Sequence, residues 1–218
     1  MLAGHYSASF ALKAVDKSVP LWALFVAVQL MDVLWVTLIL LGVEKVRVDP
    51  ALASVPLDLY YMPWSHSLPA VVVVCAAVFA LYRLLVPPRG VNRPALVVAA
   101  AVGSHWVLDV LVHRPDLPLY DDTLKIGLAL WNHPGAAFAL EVALLVGGLW
   151  LYLRATKPVS ARGRYGFAVF TVALIAVQAA LVFGPVPPWL TPPVVAVTLL
   201  VFYFLTAGVA AWLERGRV

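Results

Sequence analysis

Ser104-His105-Trp106-Val107-Leu108-Asp109, followed four residues later by His113, decides how this chain reads. Positions 105, 109 and 113 recur at intervals of four, so on a helix they stack along one face. The surrounding segment is otherwise apolar and suits lipid. A bare carboxylate in a bilayer costs roughly 3 kcal/mol on insertion scales, so Asp109 has to face a protein interior and a partner. An i, i+4 His–Asp pair reaches one cation much as paired histidines do in helical zinc motifs. The stripe reads as half of a metal site inside a helical bundle.

Composition supports that setting. The chain has 218 residues, 63% of them hydrophobic and 12% charged, with a mean hydropathy of +0.95. A soluble domain carries about 25% charged residues, roughly twice this share. The net charge of +4 is spread between apolar stretches, which argues against a nucleic-acid partner and for topology signals. The lone Cys75 excludes an internal disulfide and reads as inert packing in an apolar span. The N-terminus shows neither a basic leader nor a small-residue cleavage signal after an apolar core, so no signal peptide is expected.

Six windows are long and apolar enough to cross a bilayer: 20–42, 67–86, 94–112, 136–153, 165–184 and 193–213. Pro87-Pro88-Arg89-Gly90, Thr156-Lys157-Pro158 and Gly184-Pro185-Val186-Pro187-Pro188 punctuate them. With the N-terminus taken as cytoplasmic, the inside segments hold 11 Lys and Arg residues (13, 17, 83, 89, 93, 154, 157, 162, 164, 215 and 217). The outside loops hold 4: Lys45, Arg47, Arg114 and Lys125. This bias puts both termini in the cytoplasm of a multi-pass membrane protein. Acidic loop residues such as Glu44, Asp58 and Asp116 add little to the orientation.

Depth brings dispersed residues together. At 1.5 Å per residue, Asp32 lies roughly 18 Å above the cytoplasmic end of the first span, His105 roughly 16 Å and Asp109 roughly 22 Å up the third. Glu141 comes out at roughly 20 Å on the fourth span and His66 at roughly 25 Å on the second, with Gln178 and Tyr203 near the same level. The expected architecture is an all-α integral membrane protein, one transmembrane helical domain over 1–218. Six transmembrane helices and a short N-terminal half-helix would enclose a metal site drawn mainly from 1–145. Residues 5–17 admit two placements. Folded back against the bundle from Ser18-Val19-Pro20, a half-helix lifts His5 to the level of Asp32; lying on the surface, an amphipathic helix leaves His5 among headgroups.

Other candidates have plainer readings. His113 and Arg114 end the third span at the interface, where solvated residues are ordinary. Arg114, with Lys125 near it in sequence, is a candidate for holding a phosphate head group, and His113 joins Arg114 in that substrate role. His133 reads as a loop residue capping the fourth span, Glu141 as a base or a helix-to-helix hydrogen bond, and the eight Trp residues as belts and packing. Gly103 with Ala99 reads as close helix packing.

An ordered set of short pieces resembles the YdjM-like family of inner-membrane, metal-dependent hydrolases: Gly4-His5, Asp32, Ser65-His66-Ser67 and Ser104-His105-x-x-x-Asp109. The resemblance covers about residues 1–120. It implies that His5, His66, His105 and Asp109 are metal ligands, with Asp32 a ligand or the general base, and it favours the buried half-helix. One departure is Met31-Asp32-Val33-Leu34, where the family shows Pro-Asp-x-Asp; Leu34 replaces the second carboxylate, and Glu141 is the candidate to stand in.

Three imidazoles with two or three carboxylates suit Zn²⁺ first, and Mn²⁺ or Fe²⁺ as alternatives. The expected activity is hydrolysis of a lipid or lipid-linked phosphate or ester, with Asp32 and Glu141 as catalytic carboxylates and the site opening toward the outer face. Membrane lipids are the expected partners. A proton-coupled transporter built on the same Asp/His/Glu layer is the main rival. A haem cytochrome would leave the carboxylates without a purpose.

Overall fold

A computed structural model describes residues 1–86 and 92–218. The Pro87-Pro88-Arg89-Gly90 punctuation, Arg89 included, lies outside the described residues. The chain is mostly helical: α1 (Tyr6–Val15), α2 (Leu21–Val28), α3 (Leu30–Leu40), α4 (Pro63–His66), α5 (Leu68–Leu85), α6 (Arg93–Val112), α7 (Pro134–Ala155), α8 (Ala161–Phe183) and α9 (Pro192–Glu214). Five of these helices are long and apolar enough to cross a membrane, or six spans if α2 and α3 count as one. Several start as their sequences dictate. Proline stands in the first turn of α5, α6, α7 and α9, where its missing N–H costs nothing. Ser67 and Ser160 cap α5 and α8 through their side chains.

The structure departs from six plain helices in three ways. The first window is broken at Gln29, with a 51° bend between α2 and α3. The buried Gln29 side chain donates to the Leu2 carbonyl, which ties the bend to the N-terminal segment. Two antiparallel hairpins also form, β1 (Lys45–Val48) with β2 (Leu57–Tyr61) and β3 (Leu117–Tyr120) with β4 (Thr123–Ile126). Arg114 donates to the Ala53 carbonyl, Ser54 to the Trp131 carbonyl and Lys125 to the Tyr60 carbonyl, knitting the first hairpin to the segment around the second. Gly127, at φ +156°, passes so close to the Arg114 backbone that a side chain there would collide with it.

Third, α1 lies inside the bundle, packed chiefly on α7 and also on α2 and α6. Tyr6 and Phe10 are fully buried and stack or cross against Phe25, Tyr152 and Phe167. Gly148 makes this crossing possible, since a Cβ there would stand 2.7 Å from Ser7 Cα. At the far end of α1, Lys13 pairs with Glu214 at 2.6 Å and donates to the Lys17 and Val19 carbonyls, which fixes the turn into α2. The surface-helix placement of residues 5–17 is not the one adopted. In contrast to α1, α5 buries only Val71 and presents an apolar exterior. Gly103 brings α6 close to α5, with its Cβ position 3.4 Å from Cys75 Sγ.

Candidate metal centre

Four imidazoles and two carboxylates meet where α1, α3, α4 and α6 converge. His5 enters from the residue before α1, Asp32 from the first turn of α3, His66 from the end of α4, and His105 and Asp109 from α6, with His113 just beyond the α6 end. Asp109 is the hub. Its Oδ1 lies 3.1 Å from His5 Nε2, and its Oδ2 lies 3.0 Å from His105 Nε2, 3.5 Å from His113 Nε2 and 3.9 Å from His66 Nε2. Asp32 Oδ1 stands 3.5 Å from both His66 Nε2 and His105 Nε2. The His5 and His105 rings stack at 3.8 Å. All four histidines and Asp109 are buried; the Asp32 side chain, 16% exposed, is the most open of the set.

The outer nitrogens of two rings fix where the protons sit. A carbonyl or carboxylate oxygen only accepts, so a ring nitrogen facing one carries a hydrogen. His105 Nδ1 donates to the Val28 carbonyl at 2.6 Å, next to the α2–α3 bend. His113 Nδ1 donates to Asp116 Oδ1 at 2.8 Å. His66 Nδ1 meets Ser65 Oγ at 2.7 Å. In the neutral rings of His105 and His113, Nε2 is then a bare lone pair turned toward carboxylate oxygens. Two electron-rich atoms 3.0 Å apart repel unless positive charge lies between them.

A cation fits that demand. Tetrahedral Zn²⁺ with ligand bonds near 2.1 Å sets its donors about 3.4 Å apart, and the 3.0 to 3.5 Å separations around Asp109 Oδ2 and Asp32 Oδ1 bracket that edge. Four neutral imidazoles and two carboxylates carry a formal charge of −2, which the Met1 ammonium, 2.6 Å from Asp109 Oδ1, reduces to −1 and a divalent ion would more than offset. His5, His105 and Asp109 form one ligand-competent triplet, and Asp32, His66 and His105 a second. The buried His/Asp cluster therefore has the donors and the spacing to hold a metal ion.

Other candidates fall differently. His113, expected at the interface in a substrate role, turns Nε2 into the cluster and joins the imidazoles. Glu141 has both oxygens occupied: Oε2 accepts from the Leu2 and Gly4 amides at 3.0 and 3.1 Å, and Oε1 from Gln178 at 3.0 Å. It anchors the segment that carries His5, whose Met1 nitrogen reaches Asp109 Oδ1 at 2.6 Å. Tyr203, from the same depth layer, donates to Asp32 Oδ2 at 2.6 Å and leaves Oδ1 to the imidazoles. Arg114 is spent largely on structure, with Nε on Asn132 and Nη2 on the Ala53 and Val55 carbonyls. Its Lys125 companion bonds Tyr60 and Asp122. His133 is exposed at the N-terminal cap position of α7 and makes no side-chain cap bond.

Three contributors carry no site role in the sequence reading: Glu44 and Asp116 appear there only as loop acids, and Ser65 only within Ser65-His66-Ser67. Asp116 is spaced three residues from His113, a signal that was available. Ser65 adjoins His66 in the Ser65-His66-Ser67 piece, which assigns it no role of its own. Glu44 sits outside every apolar window, where nothing local marks it. No family model, no curated protein and no solved structure matches the chain.

Proposed function

We propose that this chain is a multi-pass inner-membrane hydrolase that uses a divalent cation, Zn²⁺ ahead of Mn²⁺ or Fe²⁺, on a lipid or lipid-linked phosphate or ester. The resemblance to the YdjM-like family and the Lys/Arg distribution support this reading, with both termini cytoplasmic and the cluster toward the outer face. One observation carries it. His5 Nε2 and His105 Nε2 lie 3.1 and 3.0 Å from Asp109 oxygens, yet neither makes a hydrogen bond among the described residues. A shared proton needs alignment along the N···O line, whereas a cation sits off that line and satisfies both atoms.

When bound, the ion supplies Lewis acidity, lowering the pKa of a coordinated water to about 7 and polarising a phosphoryl or acyl oxygen. The chain supplies the rest. Asp32, held through Oδ2 by Tyr203 and partly open, is placed to accept a proton from attacking water. Arg114 Nη1 and Trp131 Nε1 are buried without partners among the described residues, and the Trp131 ring lies 4.1 Å from that of His113. The unpaired Trp131 donor next to His113, with the Arg114 guanidinium 5.8 Å from the Trp131 ring, favours an oxygen-rich, anionic substrate group.

The test is elemental analysis of the detergent-purified protein with Asp109→Asn and His105→Ala alongside, then a panel of phospholipids and lipid phosphates. The expected outcome is stoichiometric metal in the wild type, lost in both variants together with hydrolysis. The second reading is a proton-coupled transporter, favoured by the buried layer of imidazoles and carboxylates itself, in which His66 stands by Asp32 and His113 by Asp109. A metal-free wild type that couples uptake to a proton gradient would establish it instead.

A further inference from the structure

Glu44 lies buried in the loop between α3 and β1, between Asp32 and His66 in sequence. Its Oε1 accepts the Trp64 and Ser65 amides at 2.8 and 2.9 Å, and its Oε2 accepts the Ser65 hydroxyl at 2.6 Å. A carboxylate has no proton to give, so the single Ser65 hydroxyl hydrogen points at Glu44. Ser65 Oγ can then meet His66 Nδ1, 2.7 Å away, only as an acceptor. Nδ1 carries the hydrogen, and Nε2 is left bare toward Asp32 and Asp109.

From this chain of donors we infer that Glu44 and Ser65 form a relay that sets the His66 tautomer and so prepares His66 Nε2 as a cation ligand. The inference deepens the metal-dependent reading and rests on it. Glu44 is a positioning residue: it acts through Ser65 on a ligand and does not itself touch the cluster. Orienting partners of this kind change metal affinity 10- to 100-fold when removed. A plainer role exists beside it, because the two amide bonds to Oε1 cap the short α4. The two roles separate cleanly. Ser65→Ala keeps both amide bonds and removes only the hydroxyl link. Glu44→Gln keeps an oxygen for the amides but places an NH₂ against Ser65 Oγ. That turns the hydroxyl hydrogen onto His66 Nδ1 and moves the ring proton to Nε2.

The experiment uses the full chain in detergent, with Zn²⁺ titration and nitrogen NMR of ¹⁵N-histidine-labelled protein; His66→Gln identifies the His66 resonances. The metal-free wild type is expected to show His66 protonated on Nδ1. Ser65→Ala should bind Zn²⁺ about 10- to 100-fold more weakly, and Ser65→Thr, which restores a hydroxyl, should recover most of that loss. Glu44→Gln should bind weakly and show the proton on Nε2. If Ser65→Ala does not fold, the Glu44→Gln tautomer decides the matter. A wild-type His66 protonated on Nε2, unchanged Zn²⁺ affinity in Ser65→Ala, or an unaltered tautomer in Glu44→Gln overturns the relay. A wild type that binds no Zn²⁺ yet shows the Nδ1 proton would sink the metal reading while leaving the tautomer assignment standing.

Discussion

Gly148→Ala tests whether the cluster depends on how closely α1 approaches α7. A Cβ at 148 would lie 2.7 Å from Ser7 Cα and 2.9 Å from Ser7 C, and closer still to the Ser7 carbonyl oxygen. These are backbone atoms, so no side-chain rotation relieves the clash. Ordinary contact begins at 3.4 Å, so α1 has to retreat by at least about 0.7 Å, the difference between 3.4 and 2.7 at Ser7 Cα, and by more to clear the carbonyl oxygen. His5 stands two residues before Ser7 and moves with it. Metal–ligand distances tolerate about 0.2 Å, so a shift of this size takes His5 Nε2 out of bonding range. Overpacking of this kind costs roughly 1–3 kcal/mol, which leaves room for a folded but altered bundle. The expected result is Zn²⁺ affinity lowered at least tenfold, read by isothermal titration in detergent, with the helix content of the wild type. Gly147→Ala is the matched control, because nothing among the described residues lies within 4 Å of its Cβ position. Equal Zn²⁺ affinity in the two variants would refute the role of α1 in presenting His5.

Two further outcomes follow from the same geometry. Glu141→Ala strands the buried Gly4 amide and the Leu2 amide; each unpaired donor costs about 1–3 kcal/mol, so thermal unfolding in detergent should shift down markedly. Glu141→Gln, which keeps an acceptor oxygen, should retain most of the stability and the bound metal; full loss of metal in that variant would make Glu141 a ligand instead of an anchor. Burial holds the Glu44 carboxyl above its ordinary 4.5, ahead of the opposing hydrogen bonds from Ser65. The folded state therefore binds this proton more tightly than the unfolded chain. The stability it contributes is complete below 4.5 and is lost as pH rises through the raised folded value. Denaturation profiles across that window should flatten in Glu44→Gln, and an unchanged slope would contradict the assignment.

The long helices were legible because a stretch of some twenty apolar residues is almost its own signal. The windows at 94–112 and 193–213 differ from Arg93–Val112 and Pro192–Glu214 by a residue at each end or less. What escaped reading depends on distant partners. The Gln29 bend has neither proline nor glycine to announce it, and its side chain bonds Leu2. Residues 5–17 fit a surface or a core equally well by pattern; Gly148 and Glu141, more than a hundred residues away, are what receive them. The hairpins are short, and Pro50 and Pro56 make the first of them look like plain loop. Their link to the rest runs through backbone carbonyls, which no residue pattern marks.

The cluster was partly legible because depth along a span can be counted, and an acid at mid-depth demands a partner. Depth does not give azimuth. Glu141 and Asp32 share a level, yet one binds backbone amides while the other faces imidazoles. Counting also sees only the inward ligands, and the groups that orient them obey a different constraint. A carboxylate deep in an apolar bundle carries a desolvation cost of several kcal/mol that only another charge offsets, so it is a poor choice for merely steering a ring. His105, in mid-helix, is steered by the neutral Val28 carbonyl at the α2–α3 bend. His66 and His113, at helix ends, are steered by Glu44 through Ser65 and by Asp116, both on loops. The break at Gln29 and the acids of the loops thus serve one end: each leaves an imidazole Nε2 free at the depth where Asp32 and Asp109 require positive charge.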